Sequence, residues 1–345
     1  MTAQAAGLRC MFTYTLRRLA FAVPTVLVIS LIVFLMLDMA PGDPTGSLPL
    51  TIPLEVREQI RAALGLGDPV LVRYFKWLHM MVIIEPSHML ANATGWNVAV
   101  EGPRILSWQT RSPVGDIIVQ RIPQTLWVVG LGYLFGILIA VPIGVISAYK
   151  QYSWFDQTGT FVSMVGFSVP TFFTGVVFIL IFSVWLGWFP SMYDTTHRVR
   201  DWDSFLFQVR QIAMPVAVLA LFNASQISRF MRASMLDNLN QDYVRTARAK
   251  GMAEKTVLLV HVLRNSMIPV VTVIAIGIPT VFTGAIITEQ IFRVNGLGDA
   301  LIRAIYVSDW PMVQTITFIF AILIVLFNLI ADVLYGILDP RIRYD

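Results

Sequence analysis

Charge is scarce in this 345-residue sequence. Only 13% of its residues are Asp, Glu, Lys or Arg, against 56% hydrophobic. Soluble domains carry about a quarter charged residues, so this chain has too few to coat a water-soluble body of its length. Cysteine is reduced to Cys10, which excludes an internal disulfide. Leu8 and Arg9 precede it instead of a small, apolar run, so it reads as an ordinary thiol and not a lipid-attachment site. A phosphate-cradling GxxxxGK[ST] loop is also missing. Gly251-Met-Ala-Glu-Lys-Thr256 has the wrong spacing, so the polypeptide is expected not to hydrolyse ATP itself. There is no HExxH, and His79, His88, His197 and His261 are scattered, so no metal site is expected. Gly166-Phe-Ser-Val-Pro170 lacks the second glycine of a serine-nucleophile turn. The net charge of +4 comes without zinc-finger spacing or an Arg-rich tail, so no nucleic-acid partner is expected.

Long apolar runs are abundant. A membrane-crossing helix needs about 20 mostly apolar residues. Such runs occur at 19–39, 125–148, 158–185, 213–231, 267–288 and 315–335, and they predict an all-α integral membrane protein with about six spans. Arg17 and Arg18 precede the first run, which is too long for a signal peptide and has no small-x-small cleavage site after it. Pro170 lies inside the third run and predicts a kink or break there. Basic residues collect on one side. Arg9, Arg17 and Arg18 precede the first span. Arg229, at the end of the fourth run, is followed by Arg232, Arg245, Arg248, Lys250, Lys255 and Arg264 before the fifth, and Arg341 and Arg343 close the chain. Six spans with this bias place both termini in the cytoplasm. Residues 1–40 then form the N-terminus and first span, 41–124 an extracytoplasmic insertion, and 125–345 a five-helix core with a cytoplasmic loop at 232–266. Within the insertion a helix is expected at 54–64, and residues 85–112 read as coil. Few ionisable groups fall inside the spans, and Glu289 and Asp332 sit toward span ends. That argues against a proton- or ion-coupled carrier, which places such groups near the midplane.

The loop before the fifth span reads Asp242-Tyr-Val-Arg-Thr-Ala-Arg-Ala-Lys-Gly251. Tyr243 to Lys250 are mostly helix formers, and a glycine follows a lysine as at many helix ends. A second helical stretch is expected from about 253. The segment predicts a short helix that presents small residues, Ala247 and Ala249, beside Arg245, Arg248 and Lys250. Such a knob suits a groove on a cytoplasmic partner. It also satisfies the positive-inside rule with no partner at all, and composition does not separate the two readings.

The same loop, continued through His261, Arg264-Asn265 and Pro269, resembles the coupling loop of dipeptide/oligopeptide-type ABC importer permeases. It is similar to their version of the Glu-Ala-Ala…Gly motif, with Arg245-Thr246-Ala247 in the first three places and Gly251 in the last. The glutamate is absent, so no role of that acid transfers. Further resemblances lie in Pro41-Gly-Asp-Pro44, Arg121-Ile-Pro-Gln-Thr-Leu126, Glu289-Gln-Ile-Phe292 with Gly296-Leu-Gly298, Asp309-Trp-Pro311, Asn328-Leu-Ile-Ala-Asp332-Val-Leu-Tyr335 and Asp339-Pro-Arg-Ile-Arg343. Together they cover nearly the whole chain, and residues 79–112 match poorly.

The resemblance implies a type I importer permease in the bacterial inner membrane. It implies a second, homologous permease, two cytoplasmic ATPase subunits that bind the ATP and Mg, and an extracytoplasmic substrate-binding protein. ATPase coupling would fall on Asp242, Tyr243, Arg245, Thr246, Ala247, Arg248, Lys250, Gly251 and His261. Di- and oligopeptides are the implied cargo, with oligosaccharides, nickel or opines as alternatives within the family, and a secondary carrier as the rival outside it.

Overall fold

The computed structural model describes residues 2–39, 53–55, 58, 67–96 and 98–338. Among them the chain is helical, and its extended pairing is a single bridge between Leu106 and Pro113. The helices are α1 (Thr2–Asp38), α2 (Val70–His79), α3 (Glu85–Thr94), α4 (Val114–Thr125), α5 (Leu131–Tyr149), α6 (Trp154–Ser168), α7 (Thr171–Phe178), α8 (Trp202–Leu239), α9 (Asp242–Ala249), α10 (Glu254–Thr256), α11 (Leu263–Phe292), α12 (Leu297–Tyr306) and α13 (Trp310–Leu338). Wider π-helical turns at Met80–Ile84, Leu126–Gly130 and Val257–Val262 join α2 to α3, α4 to α5 and α10 to α11.

Among the described residues, five stretches are long and apolar enough to cross a membrane: Thr15–Asp38, Val114–Tyr149, Trp202–Leu239, Glu254–Ile278 and Trp310–Val333. The third expected span is broken. Helix α6 and the helical stretch Thr171–Trp185 are bent by 106° where they meet, and they make a sixth crossing if counted together. The break follows from Pro170. It pushes Val169 out of the helical region to φ −80°, ψ 125°, as proline does to the residue before it.

The chain divides into two compact units. The first holds residues 1–20, 124–298 and 324–345. Its most extensively packed pair is α5 against α8. Gly132, Gly136, Ala140, Gly144 and Ala148 recur every fourth residue along one face of α5. This small-residue stripe lets two backbones approach, as membrane helices do where no hydrophobic effect drives them together. A β-carbon added at Gly136 would lie 2.8 Å from that of Asn223, and one at Gly144 would lie 2.8 Å from the Ser228 carbonyl oxygen. Gly130, which reads equally well from sequence as a packing glycine, has open space instead. Near the start of the apolar stretch of α1, Arg18 pairs with Asp332 at 3.2 Å, which fits an anchoring role for the acid.

The second unit holds residues 21–123 and 299–323. Phe34, Tyr74 and Trp77 pack together, and Trp77 meets Phe318 edge-on. The expected coil at 85–112 is helical over its first ten residues, as α3. Pro86, which has no backbone N–H to donate, falls where the π-helical turn gives way to α3, and Gly95 ends the helix at φ +72°. Glu85 is buried, accepts from Arg104 at 2.8 Å and from the Ile105 amide at 2.9 Å, and Arg104 also donates twice to Asp116. The bond to Asp116, ahead of that to Glu85, holds the Arg104 guanidinium above its usual range despite some burial. The helix expected at 54–64 falls largely outside the described residues, as do Pro41–Pro44 and Asp339–Arg343.

Candidate functional site

Helix α9 is short, and its ends are defined. Asp242 lies in the first turn and Arg248 in the last, each opposite in sign to the helix dipole end it faces. At the far end the Gly251 amide donates to the Arg248 carbonyl at 2.9 Å, and the Met252 amide to the Ala247 carbonyl at 3.3 Å. These two bonds form a Schellman cap, which needs a left-handed residue at its turn. Gly251 supplies it at φ +75°. Beyond the cap, Arg248 reaches back to Glu254, with contacts of 2.6 and 3.1 Å. That bond raises the Arg248 pKa above its ordinary value, against the opposing effect of burial.

One face of α9 is buried. Val244 and Ala247 belong to an apolar core with Met231 and Met235 of α8, Ala140 and Ala148 of α5, and Val257, Leu258 and Val262 of the turn entering α11. This corrects the sequence reading of Ala247, expected beside Ala249 on an exposed knob. Ala247 is 6% exposed, and Ala249 is the small residue left outside. The i, i+3 spacing of Val244 and Ala247 places both on the inner side. Tyr243 is half-buried and donates to Asn238 Oδ1 at 2.8 Å.

The exposed face carries Asp242, Arg245, Thr246, Arg248, Ala249, Lys250 and Gly251. Asp242 and Arg245 lie 3.3 Å apart, 95% and 74% exposed, a pair worth little in water. Thr246 Oγ1 donates to the Asp242 carbonyl at 2.9 Å. His261 does not join this face. It is half-buried on the turn into α11, and its Nε2 is enclosed without a hydrogen-bond partner among the described residues.

The polar ties around the site escaped sequence reading. Ser234 and Ser266 exchange hydrogen bonds between side chain and backbone, at 2.9 and 3.2 Å, and both are buried. They join the end of α8 to the start of α11. Both ends of the 232–266 loop are helical, through residue 239 and again from 254. Sequence offered only two serines 32 positions apart, with no periodic signal linking them.

Away from this loop, the motifs beside the spans are brought together in pairs. Glu289 is fully buried in the first unit, accepts from Thr125 Oγ1 at 2.8 Å, and takes the Gly298 amide at 2.8 Å. Thr125 in turn accepts from the Leu297 amide at 2.8 Å. The acid caps the start of α12 and fixes the turn before it. In the second unit Asp309 accepts from the Ser107 hydroxyl and, at 3.0 Å, from the Trp108 amide. These acids serve structure at helix ends.

Comparison with known proteins bears on the same elements. Residues 140–344 match the family model described as binding-protein-dependent transport system inner membrane component, and residues 11–129 match the N-terminal model of that description. The chain is 37% identical over 339 residues to the oligopeptide transport system permease protein AppB of Bacillus subtilis, covering 97% of this chain and all of that protein. It is 33% identical over 335 residues to the glutathione transport system permease protein GsiC of Escherichia coli, again covering 97% of this chain and all of the relative. Among solved structures, an inward-facing MetNI methionine ABC transporter matches with a TM-score of 0.53 at 17% identity, over 65% of this chain and 97% of that one. That likeness establishes the shared permease fold.

Proposed function

For a chain that belongs to the family of binding-protein-dependent transport system inner membrane components, we propose that α9 is the lever through which a cytoplasmic ATPase drives import of di- and oligopeptides. The chain is a multi-pass inner-membrane permease subunit of an ABC importer, and it works with ATPase and substrate-binding partners. It pairs with a second, related permease and forms half of the translocation path. Two ATPase subunits hold the ATP and Mg, and each grips the short helix of one permease. Both termini lie in the cytoplasm, and the binding protein docks on the opposite face.

One observation supports the lever. The inner side of α9 shares an apolar core with the spans, while its outer side is bare. A push on the outer side reaches Met231 and Met235 through Val244 and Ala247, because a close-packed interior has little room to absorb it. Asp242, Arg245, Thr246, Arg248, Lys250 and Gly251 offer the contact surface, with Tyr243 and His261 as supports behind it. The two end states are then biased from both sides of the membrane. Peptide cargo follows from the relatives' names, oligopeptide for one and glutathione for another.

The test is Gly251→Val. An added side chain at Gly251 meets open space within this chain, and the left-handed backbone costs about 1–2 kcal/mol. The spans therefore stay folded while the outer surface gains bulk. Co-purification of the ATPases, or substrate-stimulated ATP hydrolysis, falls about tenfold or more, the scale of a central interface residue. Unchanged values in both remove the docking role.

A further inference from the structure

Helix α8 carries two arginines one turn apart, and they are used differently. Arg232 is spent on Asp156 of α6, with contacts of 2.6 and 2.8 Å. Arg229 has no carboxylate partner among the described residues, and its side chain is exposed. Its guanidinium lies 4.5 Å over the ring of Phe167.

The depth of that ring matters. Helices α6 and α8 touch at successive levels: Asp156 with Arg232, Ser163 with Ser228 at 3.0 Å, and Gly166 against Ser225. Phe167 therefore stands about a turn farther from the basic loop than the Arg229 backbone, and it stacks on Phe222 at 6.2 Å. An arginine seeking the nearby aqueous boundary would extend the other way. This one leans along α8 toward the break at Pro170, as the tilt of a helical Cα–Cβ bond permits. Asn223 and Gln226, both half-buried, continue the polar line one turn at a time along α8. A charge on a spanning helix that faces lipid is expensive, so such residues face a water-filled cavity and mark substrate routes.

Resting on the peptide-importer reading above, we infer that Arg229 binds the terminal carboxylate of the passing peptide, with Phe167 and Phe222 as the apolar shelf for its last side chain. Guanidinium suits this ligand because it engages a carboxylate with two parallel hydrogen bonds. A single unpaired cation holds a peptide briefly, as a route must, and the aromatic shelf accepts side chains of varied shape. Arg229 is then a specificity-determining residue for cargo with a free C-terminus.

The experiment uses the assembled transporter, with both permeases, the ATPases and the binding protein, in vesicles of zwitterionic lipid. Uptake is measured for one peptide with a free C-terminus and for its C-terminal amide, each supplied as saturated binding-protein complex. The wild-type complex imports the acid faster. Arg229→Gln lowers uptake of the acid about tenfold, the scale of one lost charge-assisted hydrogen bond, and leaves the amide unchanged. Arg229→Lys falls between. If Arg229→Gln slows both peptides alike, or neither, the inference is overturned. A wild-type complex that imports neither peptide overturns the cargo reading first, and is told apart by that.

Discussion

Ala247 and Ala249 differ by two positions and by everything that surrounds them. The first is enclosed with Val244, Met231 and Met235, and the second faces solvent. Enlarging a filled site costs about 1–3 kcal/mol, through displaced neighbours and poor rotamers. Ala247→Leu is expected to lower the melting temperature of the purified protein in detergent, and Ala249→Leu to leave it in place. Equal melting temperatures would show that α9 has no inner side. Sequence alone identified the helix, its length and its terminal glycine, because those depend on local propensity and on one backbone angle. It misassigned Ala247 because an eight-residue helix gives little over two turns in which to show an apolar face. Ser234, Ser266 and Glu254 were illegible for another reason. Their partners are chosen by tertiary approach, which no local spacing encodes.

At the scale of the element, the pairing of α5 with α8 depends on its stripe of small side chains. Gly144 sits where any β-carbon collides with the Ser228 backbone oxygen and with Met231, whereas Gly130 faces open space. Gly144→Val should separate the two helices, cost about 1–3 kcal/mol and reduce the yield of monodisperse protein, with Gly130→Ala as the tolerated control. Size-exclusion profiles of the two variants decide it, and a normal profile for Gly144→Val would contradict the close approach. The sequence offered Gly130, Gly136 and Gly144 of the second run as packing positions, and the last two lie at the contact. The ends of elements were less legible. Helix α8 runs from 202 to 239, well past the apolar core at 213–231, because hydropathy reports the membrane's thickness and not the helix's length. Its start is set by Asp201, which accepts from the Ser204 amide at 2.8 Å while the Ser204 hydroxyl engages the Asp201 backbone. Helix α3 was missed because a segment with Pro, Asn and Gly looks like coil until Glu85 is seen fixed to Arg104.

For the whole molecule, topology turns on the broken third span. If α6 and α7 together cross once, both ends of the chain share a side, and residues 186–201 face the opposite one. Cys10 is the single natural thiol and Thr195 is exposed, which makes the arrangement directly readable. A membrane-impermeant maleimide should label Cys10 in inverted vesicles and spare it in intact cells. Thr195→Cys, in a background lacking Cys10, should show the reverse. Labelling of both from one side would make α6 and α7 a re-entrant hairpin.

The buried exchange between Ser234 and Ser266 has a mechanical consequence. It locks the departure of one span to the arrival of the next, so the short helix between them cannot swing on a slack tether. Any stroke delivered there must turn both spans as one piece, like a crank keyed to its shaft. On the proposed lever mechanism, the size of the cytoplasmic motion would then dictate the size of the opening, with no lost travel between them.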